Sequence, residues 1–482
     1  MVDDDDYETV IGLEVHAQLL TKSKLFSGDS ASFGSEPNTH ISPVTLGHPG
    51  SLPLLNRKAV EYAVKMGLAC RCAITTKNYF ARKNYFYPDL PKGYQISQHT
   101  TPVCVGGFVK ITVSDKEKNV QLNRIHLEED AGKSLHDVDE YATAIDFNRA
   151  GVPLIEIVTE PCLESGEEAH AYLTELRKML RYLNVCDGNM EEGSMRCDAN
   201  VSVRLKGDKE LGTKVEVKNL NSIRNVKRAI EIESARLIRI LKEGGSIIQQ
   251  TRSFDADNGT TFALRNKEEA NDYRYFPDPD LVPFSVTEEL ITRIRESIPA
   301  LPEERIQQYT TAYQLPEYDA RVLTEEKELA DYFEAVIAYT PNFKAAANWL
   351  LGPVKSYLNE NGITIANFSL PPSAIAELIS LTDMGKLSFS TASAAVFPTL
   401  IREPGRSASD IASANNLAQD ADEGTITAWV EEVLNNMPAK VLEYRKGKKG
   451  LIGLFVGEVK KVSRGKADPK ITNEILLKKL QS

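Results

Sequence analysis

Long apolar runs are missing from this 482-residue chain, because charges interrupt every candidate before it reaches the roughly 18 uninterrupted apolar residues of a membrane span. The opening MVDDDDYETV is acidic and lacks both the basic-then-apolar plan of a secretory signal and the Arg- and Ser-rich plan of a transit peptide. A soluble, cytoplasmic protein with no membrane partner is therefore expected. Cysteine is scarce and scattered (Cys70, Cys72, Cys104, Cys162, Cys186, Cys197), which excludes the dense disulfide framework of a small secreted domain. Cys70 and Cys72 form a C-x-C with no second pair nearby, so buried thiols are expected there rather than a metal site. No G-x-S-x-G is present and no cysteine carries a local activating signature, which disfavours hydrolysis through a covalent enzyme intermediate. Gly132, Lys133 and Ser134 look like the end of a phosphate-binding loop, but the loop's first glycine would fall at Leu127 and no apolar parallel strand leads into it. If the chain binds ATP, it does so without that loop.

What is present is ordinary globular material, 42% hydrophobic and 26% charged, in a chain long enough for two to four domains. Up to about Phe284 the sequence is rich in strand-like alternation, Gly and Pro, whereas from Val286 to Phe397 it reads as helices separated by Pro. The prolines of DPDLVPF mark one boundary and REPGRSAS a second. An α+β plan follows: a sheet domain over residues 1–285, an all-helical domain over 286–405 and a small helical tail over 406–482. Net charge is −11, which argues against a nucleic-acid coat protein, yet Val441 to Lys470 holds nine Lys/Arg against three acids. That stretch offers contacts to a phosphate backbone, or is simply a solvated basic face.

Three segments alternate cleanly. IGLEVHAQL places Ile11, Leu13, Val15, Ala17 and Leu19 opposite Gly12, Glu14, His16 and Gln18. MRCDANVSVRL sets Arg196, Asp198, Asn200, Ser202 and Arg204 opposite an apolar face, and KVEVK sets Lys214, Glu216 and Lys218 opposite Val215 and Val217. An antiparallel sheet is expected, with one side on a core and the other forming a polar cradle. The stripes Tyr172–Leu173–Leu176–Met179–Leu180–Leu183 and Ile223–Val226–Ile230–Leu237–Leu241 predict two helices backing it. Glu128, Glu129 and Asp130 follow His126 and need a cation or basic groups to offset their repulsion, while Glu156 interrupts the apolar run VPLIEIV. With Glu14 and His16 these acids make a candidate oxygen-rich Mg²⁺ site. The competing reading is surface acids and a buried ion pair.

In order and spacing, ETVIGLEVHAQL, KLFSGDSASFGSEPNTH, PGSLPLLN, RKNYFYPDLPKGYQISQ, IHLEEDAGKS, DFNRAGVPLIEIVTEP, EEGSMRCDANVSVR, VEVKNLNS and DYRYFPDPDLVP resemble the GatB family over nearly the whole chain. The resemblance implies a glutamine synthetase-like cradle, an amidase partner (GatA) and a small clamp partner (GatC). It implies a tRNA-dependent amidotransferase that converts misacylated Glu-tRNA(Gln) or Asp-tRNA(Asn) to Gln-tRNA(Gln) or Asn-tRNA(Asn). The cofactors are ATP and Mg²⁺, and the reaction runs through a phosphorylated side chain that ammonia attacks. Carried over by position, the divalent-metal and catalytic set is Glu14, His16, Glu129 and Glu156, with Arg149, Lys214 and Lys218 for the phosphate or aminoacyl end. Many relatives carry two cysteine pairs that resemble a zinc site. Here those positions are Ser27, Asp29, Ser42 and Thr45, so no zinc is expected and hydrogen bonds or packing must hold the loop. The Ser-Ser-Lys signature of an amidase is absent, which assigns ammonia release to the partner. Two other readings are a non-catalytic tRNA-binding scaffold and a metal-dependent ligase acting on a small amino acid.

Overall fold

The computed structural model describes residues 6–136, 138–266, 273–415, 417, 423–463 and 466–481. The chain divides into two compact units, Met1–Leu301 and Pro302–Ser482.

The first unit is built on a sheet of thirteen strands among the described residues. Its main path runs Thr260–Asn266, Gln250–Asp255, Val215–Leu220, Met195–Leu205, Tyr7–Gln18, Pro153–Thr159, Lys116–Glu129, Tyr94–Ser97, Ala81–Asn84 and Phe276–Pro277. Along this path every neighbouring pair is antiparallel except Val215–Leu220 with Gln250–Asp255. Alternation sets the faces. In Tyr7–Gln18, Ile11, Leu13, Val15 and Ala17 are fully buried while Gly12, Glu14, His16 and Gln18 are only half-buried.

Helices α1 (Gly166–Tyr182) and α2 (Ile223–Lys242) pack on the apolar side, where Tyr172, Leu173, Leu176, Leu180, Val226, Ile230 and Leu237 join one core with the inward residues of the strands. Each starts at a serine whose side chain accepts a backbone N–H, Ser165 from Glu168 and Ser222 from Asn225, satisfying a donor the first turn leaves unpaired. Burial of each large side chain in that layer is worth about 1.5–3 kcal/mol, which fixes the polar side outward.

The third alternating segment departs from expectation. Its strand begins at Val215, so Lys214 precedes it and is exposed, while Glu216 is as buried as its neighbours Val215 and Val217. The cause is the flanking strand Gln250–Asp255, which supplies the Thr251 hydroxyl as a donor to Glu216 at 2.9 Å. Lys133–Leu135 forms a short strand paired with Ala144–Asp146, with no helix following, so the Gly-Lys-Ser triplet is part of a two-stranded ribbon.

The first unit extends past the expected break at 285. In helix Glu288–Glu296, Ile291 and Ile294 enter the first core and Arg293 bonds Glu61 at 3.0 Å. Among its described residues the second unit is helical with two hydrophobic clusters, one between Tyr309 and Ala412 and one between Ile426 and Leu480. Helix Ala408–Ala414 gives Ala408, Ile411 and Ala412 to the first of these, which carries the helical domain beyond the expected boundary at 405.

The loop at Ser27–Thr45 is tied by one carboxylate. Asp29 Oδ2 accepts from Ser27 at 3.0 Å and Ser42 at 2.7 Å, and also from the Thr45 hydroxyl. Burial opposes the Asp29 charge, but the three hydroxyl donors and Lys24 outweigh it and hold its pKa below the usual aspartate value. We expect Asp29→Ala to cost about 1–2 kcal/mol in urea denaturation, because three donors lose their acceptor. The folded-state pKa is depressed, so the stabilisation is present above the unfolded value near 4 and is lost as pH falls through the folded value. The difference between wild type and Asp29→Ala should shrink in that acid window.

Candidate functional site

Antiparallel register places four polar residues abreast on the outward face. Arg196 lies opposite His16, His16 opposite Glu156, and Glu156 opposite His126, so one row crosses four strands. Glu128 sits two residues beyond His126 on the same strand and therefore on the same face. His16 Nε2 is 3.5 Å from Glu128 Oε1 and 3.6 Å from Glu156 Oε2, and His126 Nε2 is 3.6 Å from Glu128 Oε2 and 3.3 Å from Glu156 Oε2. Two imidazoles thus face two carboxylates in a largely desolvated row.

The electrostatics are correspondingly strong. Burial opposes the His16 charge, yet its bond to Glu156 and the field of Glu156 and Glu128 push its pKa up to about 9. Burial acts on His126 in the same sense and the same two carboxylates outweigh it, again raising the pKa. Glu156, despite burial, is held well below the usual carboxylate range by His126 and His16, and Glu128 is lowered against burial by His126. The two imidazoles thus offset the charge of the two carboxylates.

His16, Glu128 and Glu156 each offer a ligand atom, and these atoms all lie within 4.8 Å of one another. One imidazole nitrogen with carboxylate oxygens fits a hard divalent cation such as Mg²⁺. His16 and Glu128 open into a cavity of about 610 Å³ lined also by Lys83, Tyr85, Asp130, Arg196 and Lys218 among others. Arg196 is held by Asp130 at 2.7 Å and Lys218 by Asp198 at 2.6 Å.

Of the four residues expected at the metal from the resemblance, the structure brings His16 and Glu156 together with Glu128. Glu129, the next residue along the strand, faces the opposite side of the sheet, where Lys92 Nζ bonds both carboxylate oxygens at 2.6 Å and the Ile96 N–H donates at 2.9 Å. There it lines a second cavity of about 250 Å³ with Lys24, Arg82 and Tyr94. Glu14 is one row away, opposite Asp198 and Val158, and accepts from Asn200 at 2.8 Å. Arg149 donates to the backbone carbonyls of Ala131 and Gly132 at 2.9 and 2.6 Å, bracing the loop beside Asp130. Lys218 lines the cavity, whereas Lys214 stands exposed ahead of its strand.

The run of acids brings Glu128 and Asp130 into the candidate Mg²⁺ set from the sequence, whereas His126, Arg196 and Lys83 are not singled out there as site residues. Strict two-residue alternation from His126 points to Glu128 rather than Glu129, so that signal is available. Partnership across strands, as between Arg196 and His16, depends on register and is not visible along one segment.

The domain described as the GatB/GatE catalytic domain matches residues 9–292, and the domain described as the GatB domain matches residues 331–480. Among curated proteins, the one named as the B subunit of aspartyl/glutamyl-tRNA(Asn/Gln) amidotransferase in Thermodesulfovibrio yellowstonii is 50% identical over 475 residues, covering 98% of this chain and 99% of its own length. Proteins of the same name from Persephonella marina (50% over 472 residues; 98% and 99% coverage) and Caldicellulosiruptor saccharolyticus (49% over 479 residues; 99% of each) are similar throughout. The sheet with its carboxylate–imidazole row is thus the catalytic domain of a ligase component. The chain belongs to the GatB family of amidotransferase B subunits.

Asp130 is the anchor of the cavity wall: its buried Oδ2 accepts from Gln18 at 2.8 Å and Arg196 at 2.7 Å. Asp130→Ala leaves two donors behind, one of them cationic, and is expected to cost roughly 3 kcal/mol. Chemical denaturation measures it. A loss below about 1 kcal/mol would mean that Arg196 finds another partner.

Proposed function

We propose that this chain phosphorylates the side-chain carboxylate of Glu or Asp esterified to tRNA at the expense of ATP, and presents the acyl phosphate to ammonia released from glutamine by an amidase partner. The observation that carries this reading is the convergence of His16, Glu128 and Glu156, of which His16 and Glu128 line a large cavity together with Lys83, Arg196 and Lys218. A carboxylate is a poor electrophile. Transfer of the γ-phosphoryl group to its oxygen forms an O–P bond, breaks the bond to ADP and creates a leaving group; ammonia then forms the C–N bond as inorganic phosphate departs.

His16, Glu128 and Glu156 would hold Mg²⁺, which when bound supplies positive charge to the transferring phosphoryl group. Lys218, held in place by Asp198, and Arg196, held by Asp130, line the path with oriented positive charge. Arg149 contributes by fixing the Ala131–Gly132 backbone at the rim. Lys214, exposed beyond the strand end, is placed for an outer contact to tRNA phosphate. No described helix is long and apolar enough to cross a membrane, and the relatives' name marks one component of a larger enzyme, in keeping with assembly with amidase and small clamp partners.

The tail carries the tRNA contact in this reading. Among its basic residues, Lys448 pairs with Glu443 at 3.0 Å while remaining largely exposed, and Lys449 lies 4.4 Å from the centre of the Tyr444 ring. Arg464, counted in the basic stretch, lies outside the described residues. Replacing Lys446, Lys448 and Lys449 with Gln should weaken tRNA binding and reduce the slope of log affinity against log salt by about two to three. Filter binding over a salt series reports both, and an unchanged slope would remove the tail from the interface.

Mixed with the amidase and clamp partners, ATP, Mg²⁺ and a misacylated tRNA, the chain should yield Gln-tRNA or Asn-tRNA from glutamine. Alone it should use only free ammonia. Glu128→Gln or His16→Ala should lower turnover at least about a hundredfold with tRNA still bound, and a loss of stability without loss of turnover per folded molecule would favour a scaffold.

A further inference from the structure

Lys83, Arg196 and Lys218 line the 610 Å³ cavity, and the last two are neutralised locally by Asp130 and Asp198. Lys83 is different. Among the described residues no carboxylate lies within 4.0 Å of its ammonium, which instead stands 4.8 Å from the centre of the Tyr273 ring and 5.7 Å from that of Tyr85. The strand Ala81–Asn84 pairs Lys83 with Gln95, and Ser97, two residues on, pairs with Glu128, so Lys83 lies on the face that carries the carboxylate–imidazole row. Arg82, its neighbour, points to the other cavity and is held there by Asp278 at 2.9 Å.

Burial opposes the charge on Lys83, but the field of Glu128, the Tyr275 and Tyr85 hydroxyls and Glu156 outweigh it and raise its pKa. The lysine is thus a cation that feels the field of the two carboxylates offered to the metal without pairing with either within 4.0 Å. The imidazoles already offset those carboxylates, so a cation bound at His16, Glu128 and Glu156 would add positive charge beside the ammonium in a partly desolvated pocket, where the pair attracts an anion far more strongly than in water. The two tyrosine faces restrict where the ammonium can stand, which aims its donors instead of leaving them free to follow the anion.

We propose that Lys83 is the anchor for the polyphosphate oxygens of the nucleotide, with its affinity for them switched on by the divalent cation. This rests on the phosphoryl-transfer reading above and adds to it the residue that engages the phosphates and the order in which charge is assembled. Lys83 binds the anion and does not hold the metal, so removal has opposite effects on the two ligands.

The test uses the chain assembled with its partners, with Mn²⁺ as the metal and the β,γ-imido analogue of ATP as the anion. Mn²⁺ is titrated by the electron paramagnetic resonance of the free ion, and the analogue by calorimetry with and without saturating Mn²⁺. In the wild type the analogue should bind tightly only with Mn²⁺ present. Lys83→Met should bind Mn²⁺ as well as the wild type or better, because a like charge has gone, while losing about tenfold to a hundredfold in analogue affinity. Lys83→Arg should recover part of that loss. Unchanged analogue affinity in Lys83→Met overturns the proposal, as does a joint loss of both ligands with a lowered melting temperature, the pattern of a structural lysine. A wild type that binds no Mn²⁺ at all would instead sink the phosphoryl-transfer reading, and this proposal with it.

Discussion

Two carboxylates side by side, Glu128 buried and Glu156 largely so, impose the constraint on which the rest of the first unit turns. Like charges at that separation in a desolvated site cost several kcal/mol unless positive groups meet them, so the fold has to bring cations from other strands to the same place. It does so with two imidazoles, one on each side of Glu156 in the same row: His16 from the strand Tyr7–Gln18 and His126 from Lys116–Glu129. Register is therefore not a detail of the sheet. A slip of one residue on either strand would turn the charged row into the core and the apolar row into the cavity.

The same pleat divides the labour of neighbouring residues. Lys83, Gln95 and Glu128 open to the larger cavity, and Arg82, Ile96 and Glu129 to the smaller one. Each cavity receives its own acid, and each acid its own partners: imidazoles on one side, Lys92 on the other. Helices α1 and α2 cover the apolar side of the strands farther along the sheet, which leaves the polar side free to be a site. The Asp29 knot shows the same economy at a loop, where one carboxylate organises three hydroxyls.

Much of the fold is legible in the sequence because burial acts locally on periodic segments. The alternation of Ile11 to Leu19 and of Cys197 to Leu205 tells which side chains share a face, and the stripes from Tyr172 and from Ile223 mark the helices. Domain edges are less legible, since whether Ile291 and Ile294 join the first core depends on which surface they meet. The buried Glu216 defeats a local reading for a related reason: its partner Thr251 lies on another strand. At the site, the sequence points to a cluster of acids and to His16; position-by-position transfer names Glu129, while the pleat sets Glu128 beside His16 and Glu156. Lys83 gives no signal at all, because its significance comes from the tyrosines and carboxylates that surround it and not from its own segment.

His16, Glu128 and Glu156 are proposed to form one divalent-cation site on the cradle face. A crystal of the assembled enzyme soaked in Mn²⁺, with data collected at the manganese edge, tests it directly. The account predicts an anomalous peak within about 2.0–2.4 Å of those three side chains. A peak held instead by Glu129 on the opposite face, or no peak beside His16 under conditions that support turnover, would contradict it.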